Sequence, residues 1–109
     1  MITNKQEYIE EIKEIRQKFP ELVHYTSLEE SHTFSLMTSN QVFLKLENFQ
    51  RTGAFKIRGA YNKISNLSKT AKQRGVITAS AGNHGQAVAF AAKIFGIKSI
   101  VVVPENSPI

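Results

Sequence analysis

One lysine, Lys56, stands where its side-chain amine could act as a nucleophile or a base. Its segment is Thr52-Gly53-Ala54-Phe55-Lys56-Ile57-Arg58-Gly59-Ala60, which places the lysine in the first turn of a predicted helix. The positive end of the helix dipole and the cation of Arg58 both disfavour an ammonium ion there, and a neutral amine can attack a carbonyl carbon or take a proton. A solvated surface lysine is the alternative. The apolar neighbours Phe55 and Ile57, with glycines on either side, favour the chemical role.

A second segment has the composition of an anion-binding turn. It is Thr78-Ala79-Ser80-Ala81-Gly82-Asn83-His84-Gly85-Gln86, at the junction of a predicted strand and a predicted helix. Small residues let a ligand approach the backbone, and the free N–H groups of a helix start favour a carboxylate or a phosphate. Glycines that only permit a tight turn are the alternative. The spacing is not the Gly-x-Gly-x-x-Gly of dinucleotide-binding proteins.

The elements before Lys56 are predicted from apolar spacing. Tyr8, Ile12, Ile15 and Phe19 lie on one helical stripe, which predicts a first helix that Pro20 ends. Thr3 and Asn4 are its candidate capping residues. Residues 21–40 are predicted to form a loop with one short helical turn, and residues 41–47 alternate as a strand does.

The elements after Lys56 predict a parallel α/β arrangement. A helix is expected over residues 55–67 with Thr52 as its N-cap, and a further helical turn over 69–74. Strands at 75–79 and 97–103 flank a helix that ends before Gly96, and together they have the length of a βαβ crossover. The unbroken apolar run Ile100–Val103 predicts a strand buried on both faces. The fold class is therefore α/β.

Composition excludes several classes of protein. The 109 residues contain no cysteine and no apolar run long enough for a membrane span. The N-terminus lacks the apolar region of a secretory signal, so a cytoplasmic protein is expected. Nine of the fourteen basic residues lie at or beyond residue 51, but they are not interleaved with aromatics as in a single-strand-binding groove, so no nucleic-acid partner is expected. His24 and His32 lack partners at metal-ligand spacing, so no metal site is expected.

The two segments together resemble a known family. Residues 44–60 resemble the pyridoxal-phosphate lysine segment of the fold-type II enzymes, and Ser80-Ala81-Gly82-Asn83-His84-Gly85-Gln86-Ala87 resembles their substrate-carboxylate loop. The resemblance extends over about residues 42–105. The run Lys56-Ile57-Arg58-Gly59-Ala60 is similar to that of the threonine/serine dehydratases and the related serine racemases. Serine racemases have a second serine where this chain has Ala81, which favours a dehydratase over a racemase.

The resemblance implies a role for each matching residue. Lys56 would hold pyridoxal 5′-phosphate as a Schiff base and remove the substrate α-proton, with Phe55 beside the ring and Asn83 bonded to the ring hydroxyl oxygen. The substrate carboxylate would be held by the loop that contains Ser80, Ala81, Gly82, Asn83 and His84. The implied reaction deaminates L-threonine or L-serine to 2-oxobutanoate or pyruvate and ammonia.

The resemblance also implies a division of the chain. Residues 1–65 would belong to the N-terminal part of a large domain and residues 66–109 to the start of a small one, both incomplete. The full-length enzyme is expected to form a homo-oligomer, and the isolated chain is expected to bind the cofactor weakly and to be inactive. A non-catalytic α/β fragment or binding module remains the alternative. Ala54 stands where relatives commonly have serine, and Tyr25-Thr26-Ser27-Leu28 where many have Thr-Pro-Leu.

Overall fold

The computed structural model of the chain describes residues 4–18 and 22–107. Those residues form five α-helices: α1 Lys5–Gln17, α2 His32–Thr38, α3 Lys56–Ser65, α4 Lys69–Arg74 and α5 Asn83–Ile94. They also form four strands: β1 Leu28–Glu30, β2 Phe43–Lys45, β3 Val76–Ala79 and β4 Ser99–Val102. Two short 3₁₀ turns, Glu47–Phe49 and Arg51–Gly53, connect β2 to α3.

The first helix, α1, begins as its capping sequence predicts. The Asn4 side chain accepts a hydrogen bond of 3.0 Å from the Glu7 N–H, which satisfies one of the free N–H groups of the first turn. The predicted stripe faces water at Tyr8 and Ile12, while Ile15 packs at the edge of the core. The other candidate cap and the predicted end of the helix (Thr3, Phe19 and Pro20) lie outside the described residues.

Between α1 and Lys56 the chain is more regular than predicted. The helical turn predicted within residues 21–40 is present as α2, which is longer than expected and follows the N-cap Ser31, whose hydroxyl accepts from the Phe34 N–H at 3.3 Å. The expectation that the rest is loop is wrong for residues 28–30. These residues form β1, which pairs antiparallel with β2. The strand predicted over 41–47 is confirmed only as the three residues of β2.

The core lies between α3 and α5, as the helical stripes predict. Small residues on α5 allow the two helices to approach closely. At the C-terminal end of α5, the ring centroids of Tyr61 and Phe95 lie 4.9 Å apart. The buried cluster consists of Ile57, Ala60, Tyr61, Ile64, Ala87, Val88, Ala91 and Ala92. It draws four residues from each side of the predicted domain boundary at 65/66, and the boundary itself stays a prediction.

The predicted βαβ unit is confirmed, and with it the α/β class. Strands β3 and β4 pair in parallel, from Val76 opposite Ser99 to Ala79 opposite Val102, and α5 crosses between them. Gly96 has a φ of +62°, the left-handed conformation expected after a helix end. The prediction that Ile100–Val103 is buried on both faces is wrong. Ile100 is 47% and Val102 51% exposed, because α5 covers only the opposite face of this sheet.

None of the described helices combines the length and the apolar character that crossing a bilayer requires.

Candidate active site

The turn that leads into α3 has an unusual backbone conformation. Thr52 and Gly53 both have positive φ, 62° and 66°, so the chain makes a left-handed turn just before Ala54. A β-branched residue such as threonine rarely adopts this region, and its occurrence indicates that neighbouring contacts hold it there. The prediction of Thr52 as the N-cap is wrong: the cap position is Phe55, and no side chain caps α3. The Thr52 hydroxyl oxygen is buried and has no hydrogen-bond partner.

Lys56 is the first residue of α3, and its side chain is exposed. Its Nζ lies 4.9 Å from the centre of the Phe55 ring, so the two side chains predicted to meet the cofactor are in contact with each other. The ion pairs found among residues 4–18 and 22–107 join Lys13 to Glu10 and Arg58 to Glu47. The Lys56 amine therefore has no carboxylate partner there and is open to an incoming carbonyl compound.

Arg58, two residues after Lys56, is paired with a carboxylate. Its guanidinium is engaged by Glu47 in a two-pronged ion pair, with Nε 2.8 Å from Oε2 and Nη2 2.7 Å from Oε1. The charge of Arg58 near Lys56 is therefore balanced by the Glu47 carboxylate. The Thr26 hydroxyl donates a further hydrogen bond of 2.6 Å to Glu47 Oε1.

The ionisation of this pair follows from its contacts. Hydrogen bonding to Arg58 lowers the pKa of Glu47 to about 2, with a smaller contribution from Thr26, although partial desolvation opposes both. The same bond raises the pKa of Arg58. No sequence pattern indicates this pairing, since Glu47 and Arg58 are eleven positions apart on different elements.

Gln50 ties the connection between β2 and α3 to His24. Gln50 is buried, and its side-chain amide forms hydrogen bonds with both backbone groups of His24. Oε1 accepts from the His24 N–H at 2.8 Å, and Nε2 donates to the His24 carbonyl at 2.9 Å. Arg51 adds a bond of 3.1 Å from Nε to the Leu22 carbonyl. The segment before Lys56 is thus tied to residues 22–26 by side chains that the sequence analysis did not single out.

The second predicted segment forms a tight loop between β3 and α5. The Ser80 N–H donates to the Val102 carbonyl at 3.0 Å, and the Gly82 N–H donates to Ser80 Oγ at 3.3 Å. A β-carbon on Gly85 would lie 2.6 Å from the Ser80 carbonyl oxygen, so the loop lies directly on the first turn of α5. Four of the five predicted residues are exposed and Ser80 is half-buried; the exposed ones are Ala81, Gly82, Asn83 and His84.

The two helices that begin at the predicted segments differ from the rest in their capping. Among the described helices, α1, α2 and α4 are capped by the side chains of Asn4, Ser31 and Ser68, whereas α3 and α5 have no side-chain cap. These two uncapped helices pack on each other, and the turn Arg51–Gly53 contacts α5. The first N–H groups of α5 therefore remain available to an anion.

A cavity lies beside the lysine segment, away from the carboxylate loop. It is a groove of about 990 Å³ between α1 and the start of α3, and Tyr25, Glu47, Phe55 and Arg58 contribute to its wall. None of residues 80–84 lines it. Arg16, which lies over the Tyr25 ring at 4.6 Å, lowers the pKa of Tyr25 by hydrogen bonding and by its charge.

Comparison with known proteins decides the family. Residues 20–109 match the sequence family described as "Pyridoxal-phosphate dependent enzyme". The chain belongs to this family. Its members use pyridoxal phosphate, and the resemblance of the two segments to fold-type II enzymes is thereby confirmed.

Relatives within the pyridoxal-phosphate family include threonine-deaminating enzymes. The chain is 50% identical over 101 residues to the L-threonine ammonia-lyase of Thermotoga maritima, a match that covers 93% of this chain and 25% of that protein. It is 43% identical over 100 residues to the catabolic L-threonine dehydratase of Escherichia coli, covering 92% of this chain and 30% of that protein. The chain thus spans between a quarter and a third of the length of these relatives.

Solved structures of the family have the same fold over the matched region. Maize serine racemase superposes with a TM-score of 0.80 at 42% identity, covering 91% of this chain and 31% of that one. The processed threonine deaminase isoform 2 of Solanum lycopersicum superposes with a TM-score of 0.80 at 34% identity, covering 97% of this chain and 31% of that one. These neighbours confirm the fold-type II arrangement for the residues described.

The side chains present fit the cofactor of the pyridoxal-phosphate family. An aldehyde requires an accessible primary amine without a competing carboxylate, and Lys56 supplies one. The Thr52 hydroxyl is a buried polar group without a partner four residues before that amine, and Asn83 offers an exposed amide at an uncapped helix start. A metal has no comparable set of ligands, since no three His or Glu side chains of the described residues cluster.

Proposed function

We propose that this chain supplies the lysine segment and the carboxylate-binding loop of an ammonia-lyase that deaminates L-threonine or L-serine. The observation that carries the proposal is the pairing of two packed helices, α3 and α5, that both begin without a side-chain cap at the two motifs. One start presents an amine without a carboxylate partner, and the other presents free N–H groups. The identities of 50% and 43% to a threonine ammonia-lyase and a threonine dehydratase support the same activity.

The residues that would hold the cofactor are Lys56, Phe55 and Asn83. The amine of Lys56 would bind the aldehyde carbon, the Phe55 ring would pack beside the pyridine ring, and the Asn83 amide would hydrogen-bond the ring hydroxyl oxygen. Bound pyridoxal phosphate supplies an electron sink for the electron pair left on the substrate Cα when its proton is removed. The contact between Lys56 and Phe55 places the first two of these groups together.

The protein residues supply binding, orientation and proton transfer. The N–H groups at the start of α5, with the side chains of Ser80, Asn83 and His84, would hold the substrate carboxylate, because a helix N-terminus favours an anion. Lys56 Nζ, once free, would accept the substrate α-proton. Departure of the β-hydroxyl and hydrolysis of the product would then release ammonia and a 2-oxo acid, so that L-threonine yields 2-oxobutanoate and L-serine yields pyruvate.

Ala81 supports a lyase rather than a racemase. Racemisation requires a second proton-transferring group on the face of the substrate opposite to Lys56, and the resemblance assigns that role to a serine at position 81. The Ala81 side chain carries no exchangeable proton.

The substrate, the assembly and the cellular location of the whole enzyme follow from the same activity. Its substrate is a small amino acid, in keeping with the amino-acid-directed enzymes among its relatives. The whole enzyme would assemble as a homo-oligomer in the cytoplasm, without a nucleic-acid or membrane partner.

Reductive trapping tests the cofactor lysine directly. The chain is incubated with pyridoxal phosphate, reduced with borohydride and mapped by peptide mass spectrometry. Since reduction is irreversible, even weak binding accumulates as adduct. Lys63, which is exposed in the last turn of the same helix, is the internal control. We expect the adduct on Lys56 to exceed that on Lys63; equal labelling of the two lysines would contradict the proposal.

A further inference from the structure

The Glu47–Arg58 ion pair connects two elements at the place where Lys56 must be held. Glu47 lies two residues after the end of β2, at the start of the 3₁₀ turn Glu47–Phe49, and Arg58 lies in the first turn of α3, two residues after the lysine. The two bonds of 2.7 and 2.8 Å use both carboxylate oxygens and two guanidinium nitrogens. This two-pronged geometry fixes orientation as well as distance, which a single contact to a lysine ammonium would not do.

The carboxylate of Glu47 is itself held in place. Thr26 donates its hydroxyl proton to Oε1 at 2.6 Å, and Lys45 donates from Nζ to the Thr26 carbonyl oxygen. The Glu47 side chain is only 16% exposed, against 40% for Arg58. The carboxylate is therefore the more enclosed partner, and Arg58 connects it to α3.

Beyond Gln50 and Arg51, which tie the preceding segment to His24 and Leu22, the start of α3 has few other restraints. No side chain caps it, and Phe55 and Lys56 are both exposed. Helix ends without caps fray. When the first turn of a helix unwinds, all of its side chains change position. Ile57, on the same turn, is fully buried against the core, so the turn is fixed on its inner face. Arg58 fixes it on a second face.

We propose that Glu47 and Arg58 are positioning residues for the Lys56 amine, with Thr26 as the support that orients the carboxylate. The pair holds the first turn of α3 against the 3₁₀ turn that follows β2, and this fixes the position of Lys56 Nζ. This inference rests on the proposed function of Lys56. It assigns to the pair no contact with the substrate or the cofactor.

The test uses a graded set of variants of the chain. Glu47→Gln removes the charge, Arg58→Lys keeps the charge but loses the two-pronged geometry, and Thr26→Val removes only the supporting hydroxyl. Thr26→Ser restores that hydroxyl and should behave as the unsubstituted chain. Glu10→Gln is the matched control, because it breaks an exposed ion pair of 3.0 Å on α1.

Two readouts separate positioning from general stability. The first is the ratio of Lys56 to Lys63 adduct after trapping with pyridoxal phosphate and borohydride, which cancels effects common to all of α3. We expect Glu47→Gln to lower the ratio about fivefold, with smaller losses in Arg58→Lys and Thr26→Val. The second is amide hydrogen exchange, which should quicken in residues 56–58 more than in α5. Should Glu47→Gln fail to fold, the two milder variants decide.

The outcomes distinguish this inference from the proposed function. A normal adduct ratio with unchanged exchange in all three variants would overturn the positioning role and leave the role of Lys56 intact. Equal labelling of Lys56 and Lys63 in the unsubstituted chain would overturn the proposed function, and the positioning role with it. A Thr26→Ser variant as impaired as Thr26→Val would also contradict the inference, since the hydroxyl would then not be the group that matters.

Discussion

Gly85 is the residue at which the carboxylate loop depends most directly on the absence of a side chain. A β-carbon there would lie 2.6 Å from the Ser80 carbonyl oxygen and 3.0 Å from Val101 Cγ1. The Gly85→Ala variant must displace backbone, so we expect it to lower the free energy of unfolding by about 1–3 kcal/mol. Urea denaturation of the chain measures this.

Gly59 is the matched control for Gly85. It also lies inside a helix, but a β-carbon at this position would meet no atom within 4 Å. Because alanine is the better helix former, Gly59→Ala should raise the free energy of unfolding by about 0.5–1 kcal/mol. Changes of the same sign in the two variants would refute the close packing of the loop on α5.

Glu47 makes stability depend on pH in a defined window. Its pKa is lowered from 4.5 to about 2 in the folded chain, mainly by Arg58, so its contribution is complete above pH 4.5 and is lost as the pH falls towards 2. Both side chains retain some exposure, which limits this contribution to about 1 kcal/mol. Unfolding measured from pH 7 to pH 2 should show the Glu47→Gln variant less stable at pH 7 and level with the unsubstituted chain near pH 2. A difference independent of pH would contradict the pairing.

Single residues also mark what the sequence could and could not predict of the site. Lys56 and Asn83 stand in continuous motifs whose residue types alone suggest their chemistry, and the structure places each at the start of a helix. Glu47, Gln50 and Arg58 act through contacts with partners on other elements. No local pattern encodes such partners, so these contacts are visible only in three dimensions.

At the scale of elements, prediction succeeded where a buried stripe exists. Both α3 and α5 bury several residues at helical spacing; α3 was predicted within two residues at each end, and the end of α5 was predicted within two residues. By contrast, α2 buries none of its seven residues, so its sequence carries no periodic apolar signal. The three residues of β1 are all exposed, and the strand exists because β2 supplies its hydrogen bonds.

The β3–β4 sheet has an apolar face that meets water. Ile77 is 70% exposed and pairs across the sheet with Ile100, which is 47% exposed. Such a face favours self-association. A double variant, Ile77→Lys with Ile100→Glu, places opposite charges at paired positions, so it should reduce association in sedimentation velocity while thermal stability stays nearly unchanged.

A surface residue away from the sheet provides the comparison for that variant. Leu36 on α2 is also exposed, and Leu36→Lys should leave the association as it is. An equal effect of Leu36→Lys would show that exposed apolar surface in general, rather than the sheet face, controls the association of the chain.

The whole molecule is more open than a domain of its length. Its radius of gyration is 17.0 Å, with extents of 51 × 40 × 27 Å, whereas a compact domain of about 100 residues has a radius near 13 Å. The core between α3 and α5 is small, and many large apolar side chains outside it are exposed. The relatives, of which this chain spans between a quarter and a third, contain far more polypeptide to cover such surfaces.

The measurement that tests the proposed function most directly uses a relative to supply the rest of the enzyme. The matched 101 residues replace their counterpart in the Thermotoga maritima L-threonine ammonia-lyase, and 2-oxobutanoate formation from L-threonine is measured. We predict an active chimera that loses at least about a hundredfold in rate with Lys56→Ala and keeps its rate with Lys63→Ala. A folded, cofactor-containing chimera that does not deaminate threonine, or one indifferent to Lys56→Ala, would contradict the account.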